Sequence, residues 1–132
     1  MVRPDFFDAL VSQGIRIHVI PTPFYGANCY VISPRSEGSA PVQSLVVDPS
    51  FGARDKIREA LEEDNAYVGA VLATHGHADH VWDCAEIASW APDGPAPVWI
   101  PSPDVYRLDD PASHVSLPLP EEVNAPWVKP TF

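Results

Sequence analysis

The sequence predicts an α/β fold, and three observations carry that reading. Runs rich in β-branched residues at 15–20, 28–32, 43–48 and 67–73 have the length and composition of strands. Between the third and fourth, residues 53–64 place Ile57, Ala60 and Leu61 at helical spacing with charges between them, which makes an amphipathic surface helix. The fourth run ends in Val68-Gly69-Ala70-Val71-Leu72-Ala73, apolar throughout, and hands directly to a cluster of polar groups, the pattern of an interior strand with functional groups at its carboxyl end.

The elements follow in order. Ile15-Arg16-Ile17-His18-Val19-Ile20 alternates with period two, which predicts Ile15, Ile17 and Val19 on a buried face and Arg16 and His18 on an exposed one. Pro21-Thr22-Pro23-Phe24-Tyr25-Gly26 reads as a turn into a second strand, Asn28 to Ile32, which stops at Ser33-Pro34 and is followed by a Gly/Ser/Pro loop to Pro41. Gln43-Ser44-Leu45-Val46-Val47-Asp48 reads as a strand buried on both faces that ends in the turn sequence Asp48-Pro49-Ser50. After the polar cluster a second helix is predicted over residues 81–90, with Ala85, Ile87 and Ala88 packing inward, until Ala91-Pro92-Asp93-Gly94-Pro95 breaks it. Val98-Trp99-Ile100 is a further short strand. From Pro101 onward seven of the 16 prolines crowd the chain, so residues 101–132 read as mostly irregular apart from a short helix near residues 104–108.

Composition narrows the function. With 132 residues, 45% hydrophobic and 20% charged, the chain fits one globular domain with a modest core. A net charge of -10 and only eight Lys and Arg argue against nucleic acid or an anionic membrane surface as partner. Acids in Met1-Val2-Arg3-Pro4-Asp5-Phe6-Phe7-Asp8 stand where a secretory signal needs an apolar stretch, and no segment has membrane-spanning length, so the reading is cytoplasmic. Cys29 and Cys84 are too few for a disulfide framework and sit among apolar residues, which makes them reduced core residues.

The chemistry lies in Thr74-His75-Gly76-His77-Ala78-Asp79-His80. Alternate positions of an extended segment point to one side, so His75 and His77 can converge on one cation. Asp79 and His80, where the chain turns into the next helix, can reach a second beside it, and Gly76 and Ala78 leave room for metal and water. Unpartnered surface histidines are the plain alternative; three imidazoles and a carboxylate in six positions at a strand end outweigh it. Cys84, one helical turn after His80, is a conceivable thiolate ligand, but core packing is the stronger reading. His114 and the acids Glu121 and Glu122 read as surface groups.

The motif resembles the HxHxDH signature of the metallo-β-lactamase superfamily. Asn28-Cys29-Tyr30-Val31-Ile32 is similar to that family's early strand, and Val46-Val47-Asp48-Pro49 to the strand that ends in its first motif. The resemblance implies the amino-terminal half of an αβ/βα sandwich, four-layered when complete, with residues 1–100 recognisable inside a partial domain of 1–132. It implies that His75 and His77 bind one metal, that Asp79 and His80 bind the second, with Asp79 also the catalytic carboxylate, and that Asp48 orients a ligand by hydrogen bonding. It implies two zinc ions, with iron or manganese as alternatives. His77 disfavours the oxygen-reducing diiron branch, where glutamate commonly takes that position. The wording of the motif and of the Asn-Cys-Tyr strand looks most like the glyoxalase II-type thioesterases. Two departures stand out: Val81-Trp82-Asp83 follow the motif where many relatives have glycines, and no later segment resembles the motifs that complete the family's site.

The implied activity is hydrolysis of an ester or thioester in a small-molecule substrate by metal-activated water. The alternative is a half-domain that lacks the remaining ligands and acts, if at all, through binding or assembly, with a large apolar surface left bare. A third reading is a site completed between two copies of the chain.

Overall fold

In the computed structural model the strands β1 (Ile15–Pro21), β2 (Asn28–Pro34), β3 (Val42–Val47), β4 (Ala66–Leu72) and β5 (Val98–Trp99) lie in sequence order across one sheet. The structure describes residues 14–35, 38–115, 119–121, 123 and 126–130; the acidic amino terminus and Glu122 lie outside them. β1, β2 and β3 pair antiparallel, whereas β3, β4 and β5 pair parallel. The switch follows from the connections, since a tight turn over residues 22–27 suffices for an antiparallel pair and a parallel one needs a crossover. The crossovers carry α1 (Arg54–Glu63) between β3 and β4, and α2 (Ala78–Val81) and α3 (Cys84–Ala88) between β4 and β5. Two 3₁₀ helices, Ser102–Asp109 and Pro111–His114, follow β5.

Ile57, Ala60 and Leu61 are the buried residues of α1, as their spacing requires. They pack with Cys84 and Ile87 of α3 against Cys29, Val31, Val46, Val68 and Val98, so the burial of α1 and α3 falls on one face of the sheet. Across the β3–β4 pair the register shifts at Ser44 and Leu45, leaving Gly69 as the extra residue. A Cβ there would sit 2.8 Å from the Gln43 Cβ, so the bulge is accommodated by the missing side chain.

Three expectations are corrected. In β1, Arg16 is exposed as expected and Ile15 and Ile17 are half-buried, but at the far end of the strand the buried side is the other one. Ile20 is opposite Cys29 and His18 opposite Val31, on the helix-covered side, and Val19 is 47% exposed. A polar residue is tolerated there because His18 Nε2 stands 3.0 Å from both oxygens of Asp64, which is buried at the end of α1. β3 is buried fully on one face only: Gln43 is exposed and Leu45 half-buried, because among the described residues no helix covers that side. The helix predicted over 81–90 is interrupted, since the Asp83 amide donates to Pro49 O at 2.9 Å. Trp82 turns into a second apolar cluster, edge-on to Phe24 at 5.9 Å and 5.5 Å from Trp127. The Val-Trp-Asp departure therefore builds a wall: Trp82 anchors α2 to the β1–β2 turn, and Asp83 anchors it to α1.

Arg54 makes that second anchor, with Nε and Nη2 donating to the two oxygens of Asp83 at 3.0 and 3.2 Å. Burial raises the pKa of the Asp83 carboxyl, and Arg54 pulls it back toward its ordinary value. A raised folded-state value means that the fold holds the proton more tightly than the unfolded chain, so this group's contribution falls as pH rises through the carboxylate range. Arg54→Ala widens that gap. The variant is expected to lose about 1–2 kcal/mol near pH 7 and less toward pH 4, Arg54 being partly exposed. Urea midpoints at the two pH values check this; a loss independent of pH would refute the pairing.

Candidate metal centre

Parallel pairing of Val47 with Leu72 sets the carboxyl ends of β3 and β4 side by side, and the Asp48 amide donates to Leu72 O at 2.8 Å. Asp48 turns the chain there with φ 52°, a left-handed conformation that aspartate tolerates better than most residues. Its carboxylate is buried. Oδ1 accepts the Thr74 amide at 2.7 Å; Oδ2 accepts the Thr74 hydroxyl at 2.7 Å and lies 2.9 Å from His80 Nδ1. The turn role and the side-chain role of Asp48 hold together.

The loop after β4 gathers the imidazoles. The His75 ring centroid is 4.7 Å from that of His77 and 4.1 Å from that of His80. The Thr74 hydroxyl gives its proton to Asp48 and is left to accept one from His75 Nδ1, 2.9 Å away. That assignment puts the proton of neutral His75 on Nδ1 and frees Nε2 as a lone-pair donor. His80 follows the same rule: Nδ1–H faces Asp48 and Nε2 lies 3.3 Å from Asp79 Oδ2. His77 is exposed at the head of α2, where its extended backbone (φ −69°, ψ 142°) turns strand into helix.

Electrostatics separate the two half-buried rings, His75 and His80. Burial lowers the His75 pKa, and the neighbouring His80 and His77 lower it further, which keeps the ring neutral at neutral pH. Burial also depresses His80, but its hydrogen bond to Asp48 and the charges of Asp48 and Asp79 outweigh that and raise its pKa. A cation at His80 Nε2 would therefore compete with protonation of the ring.

Among the described residues, ligand atoms of Asp48, His75 and His80 lie within 4.8 Å of one another. Asp48 already engages three protein donors, which leaves little of it for a cation. The nitrogens of His75, His77 and His80 and the carboxylate of Asp79 are the freer donors. This imidazole-rich set suits a borderline-soft divalent ion. Elsewhere, His18 is engaged with Asp64, and exposed His114 meets the Tyr106 ring edge at 5.4 Å. Both cysteines are in the core, with burial pushing the Cys29 thiol up to about 12 and the Cys84 thiol upward as well, so neither offers a thiolate. A cleft of about 520 Å³ beside Arg58, Asn65 and Trp90 lies at the far end of β4 from the histidines.

Sequence reasoning missed the partners of this loop. Thr74 could have been noticed as a hydroxyl directly before the first histidine. Arg54 with Asp83, and Asp104 with Gly76, are separated by 29 and 28 residues and leave no local signal.

Comparison with known proteins follows the same outline. The sequence model of the Metallo-beta-lactamase superfamily matches residues 22–126. An uncharacterised protein of Mycobacterium tuberculosis (strain ATCC 25618 / H37Rv) is 32% identical over 91 residues, which cover 69% of this chain and 38% of the relative. BaeB of Bacillus velezensis, described as a probable polyketide biosynthesis zinc-dependent hydrolase, is 40% identical over 67 residues, 49% of this chain and 28% of that protein. The chain therefore spans less than half the length of these curated relatives. The crystal structure of the BLEG-1 B3 metallo-β-lactamase matches with a TM-score of 0.59 at 20% identity, over 89% of this chain and 53% of that one, a likeness of fold. No helix among the described residues is long and apolar enough to cross a membrane.

Proposed function

The chain belongs to the metallo-β-lactamase superfamily, and from that premise we propose that the protein is a metal-dependent hydrolase of esters or thioesters. The carrying observation is that His75 and His80 gather over a buried Asp48 at the carboxyl end of β4, with the His77 ring beside His75 and the Asp79 carboxylate beside His80. His75 and His77 would hold one divalent cation, Asp79 and His80 a second. A cation there supplies Lewis acidity to the substrate carbonyl and lowers the pKa of water. Zinc is assigned first for the nitrogen-rich donor set, ahead of iron or manganese.

This chain's residues do the positioning. Asp48 holds His80 through Nδ1 and, by way of the Thr74 hydroxyl, directs His75 Nε2 outward. Asp79, beside His80 Nε2, is the carboxylate we assign to catalysis, where it can hold a proton released during hydrolysis. Thioester is the first substrate class because the motif wording resembles glyoxalase II-type enzymes. The acidic balance supports a small-molecule partner over nucleic acid.

One observation favours a second reading, a half-domain without catalysis. Val19 and Trp99, 47% and 63% exposed, lie on the sheet face that no helix covers among the described residues. A single experiment separates the two. Protein purified without added metal is assayed for metal content and for thioester hydrolysis, then treated with a chelator and reloaded with zinc. Hydrolysis should stop with the metal and return with zinc. Turnover that survives metal removal would overturn the metal reading, and bound metal without turnover would favour the half-domain.

A further inference from the structure

We propose that Asp104 is a positioning residue for the histidine loop, holding His75 and His77 in place through the amide of the glycine between them. The role rests on the reading of these histidines as metal ligands. Asp104 belongs to the 3₁₀ helix Ser102–Asp109, beyond β5, and its Oδ2 accepts the Gly76 N–H at 2.8 Å.

The contact is close over the whole turn. Gly76 is buried, and a Cβ there would lie 2.9 Å from the Asp104 carbonyl oxygen and 3.0 Å from both Cβ and Cδ of Arg107. Space, not a left-handed backbone, demands the glycine. A glycine between two ligands has a cost, because it leaves the peptide planes on either side free to rotate and to carry both imidazoles with them. The Asp104 carboxylate removes that freedom, and a hydrogen bond to an ionised acceptor is stronger than a neutral one. Arg107 lays its stem on Gly76 and sets Nε 3.8 Å from Asp104 Oδ1, which places a positive charge beside the carboxylate.

The loop is thus gripped from two sides by carboxylates of separate elements. Asp48, at the end of β3, takes the Thr74 amide and faces His80. Asp104 takes the Gly76 amide and so sets the segment that carries His77, the ring with no share in the Asp48 network.

The test uses the full chain with Asp104→Ala and Asp104→Asn, the second of which keeps an acceptor at the same reach. In metal-free protein, hydrogen exchange of the Gly76 amide is followed by NMR, and cobalt(II) binding is then titrated by its visible spectrum. Alanine is expected to speed Gly76 exchange roughly tenfold or more and to weaken cobalt binding roughly 10- to 100-fold, the range seen when an outer partner of a ligand is lost. Asparagine should recover most of both. Unchanged exchange in the alanine variant would overturn the grip, and faster exchange with unchanged cobalt affinity and spectrum would overturn the positioning role. Should alanine fail to fold, Asp104→Ser, whose hydroxyl is too short to reach, takes its place with the same outcomes. Wild-type protein that binds no cobalt would defeat the metal reading and this role with it, while its Gly76 exchange would still show whether the grip exists.

Discussion

Asp48→Ala is expected to lower the melting temperature by roughly 10 °C and to weaken metal binding in the same variant. The buried carboxylate satisfies the Thr74 amide, the Thr74 hydroxyl and His80 Nδ1, and alanine leaves all three without their acceptor. Thr74 is exposed, so its hydroxyl can turn to water. The amide and the imidazole keep most of the penalty, together about 3 kcal/mol at 1–3 kcal/mol for each orphaned donor. Alanine is also a poorer occupant of φ 52° than aspartate, which adds to the loss. At roughly 3 °C per kcal/mol for a domain of this length, thermal melting by circular dichroism would register the change clearly. Asp48→Asn separates the causes, because asparagine tolerates the left-handed backbone and keeps one acceptor. It should recover the backbone part and only a portion of the hydrogen bonds. An alanine variant that melts within about 2 °C of wild type would show that Asp48 is a turn residue and nothing more.

The same residue shows how far the sequence could be read. The order of strands and helices was legible because each element carries its own period: Ile57, Ala60 and Leu61 mark α1, and the run to Ala73 marks β4. The site was legible because its candidate ligands occupy six consecutive positions. What could not be read was any choice made between elements. Alternation in β1 defines two sets of residues, but only the placement of Asp64 at the end of α1 decides that His18 faces inward. Continuous helical character from Val81 to Trp90 hides the break, because the competing acceptor for the Asp83 amide is Pro49. Asp104 looked like one acid among 18, and only the path of β5 brings it to Gly76. A run of candidate ligands is local and can be read from sequence; tertiary hydrogen bonds depend on chain reversal and cannot.

His77→Ala should produce the opposite signature to Asp48→Ala: a fold that melts as wild type does and a hydrolase that no longer turns over. His77 is exposed, lies outside both apolar clusters, and stands at the start of α2 without a side-chain cap bond, so its removal should change stability by less than about 0.5 kcal/mol. Its ring stands edge-on to His75, with centroids 4.7 Å apart, which puts it beside the proposed ligand. Loss of a direct ligand should cost more than the roughly 10- to 100-fold that follows loss of a partner behind one. Metal affinity and thioester turnover should therefore both fall by more than about 100-fold while the melting curve stays in place. Measured together, the two variants divide the site by mechanism. On the proposed reading, Asp48 would act through the fold that aims the ligands, and His77 only through the cation. A His77→Ala protein with normal turnover would remove the metal assignment.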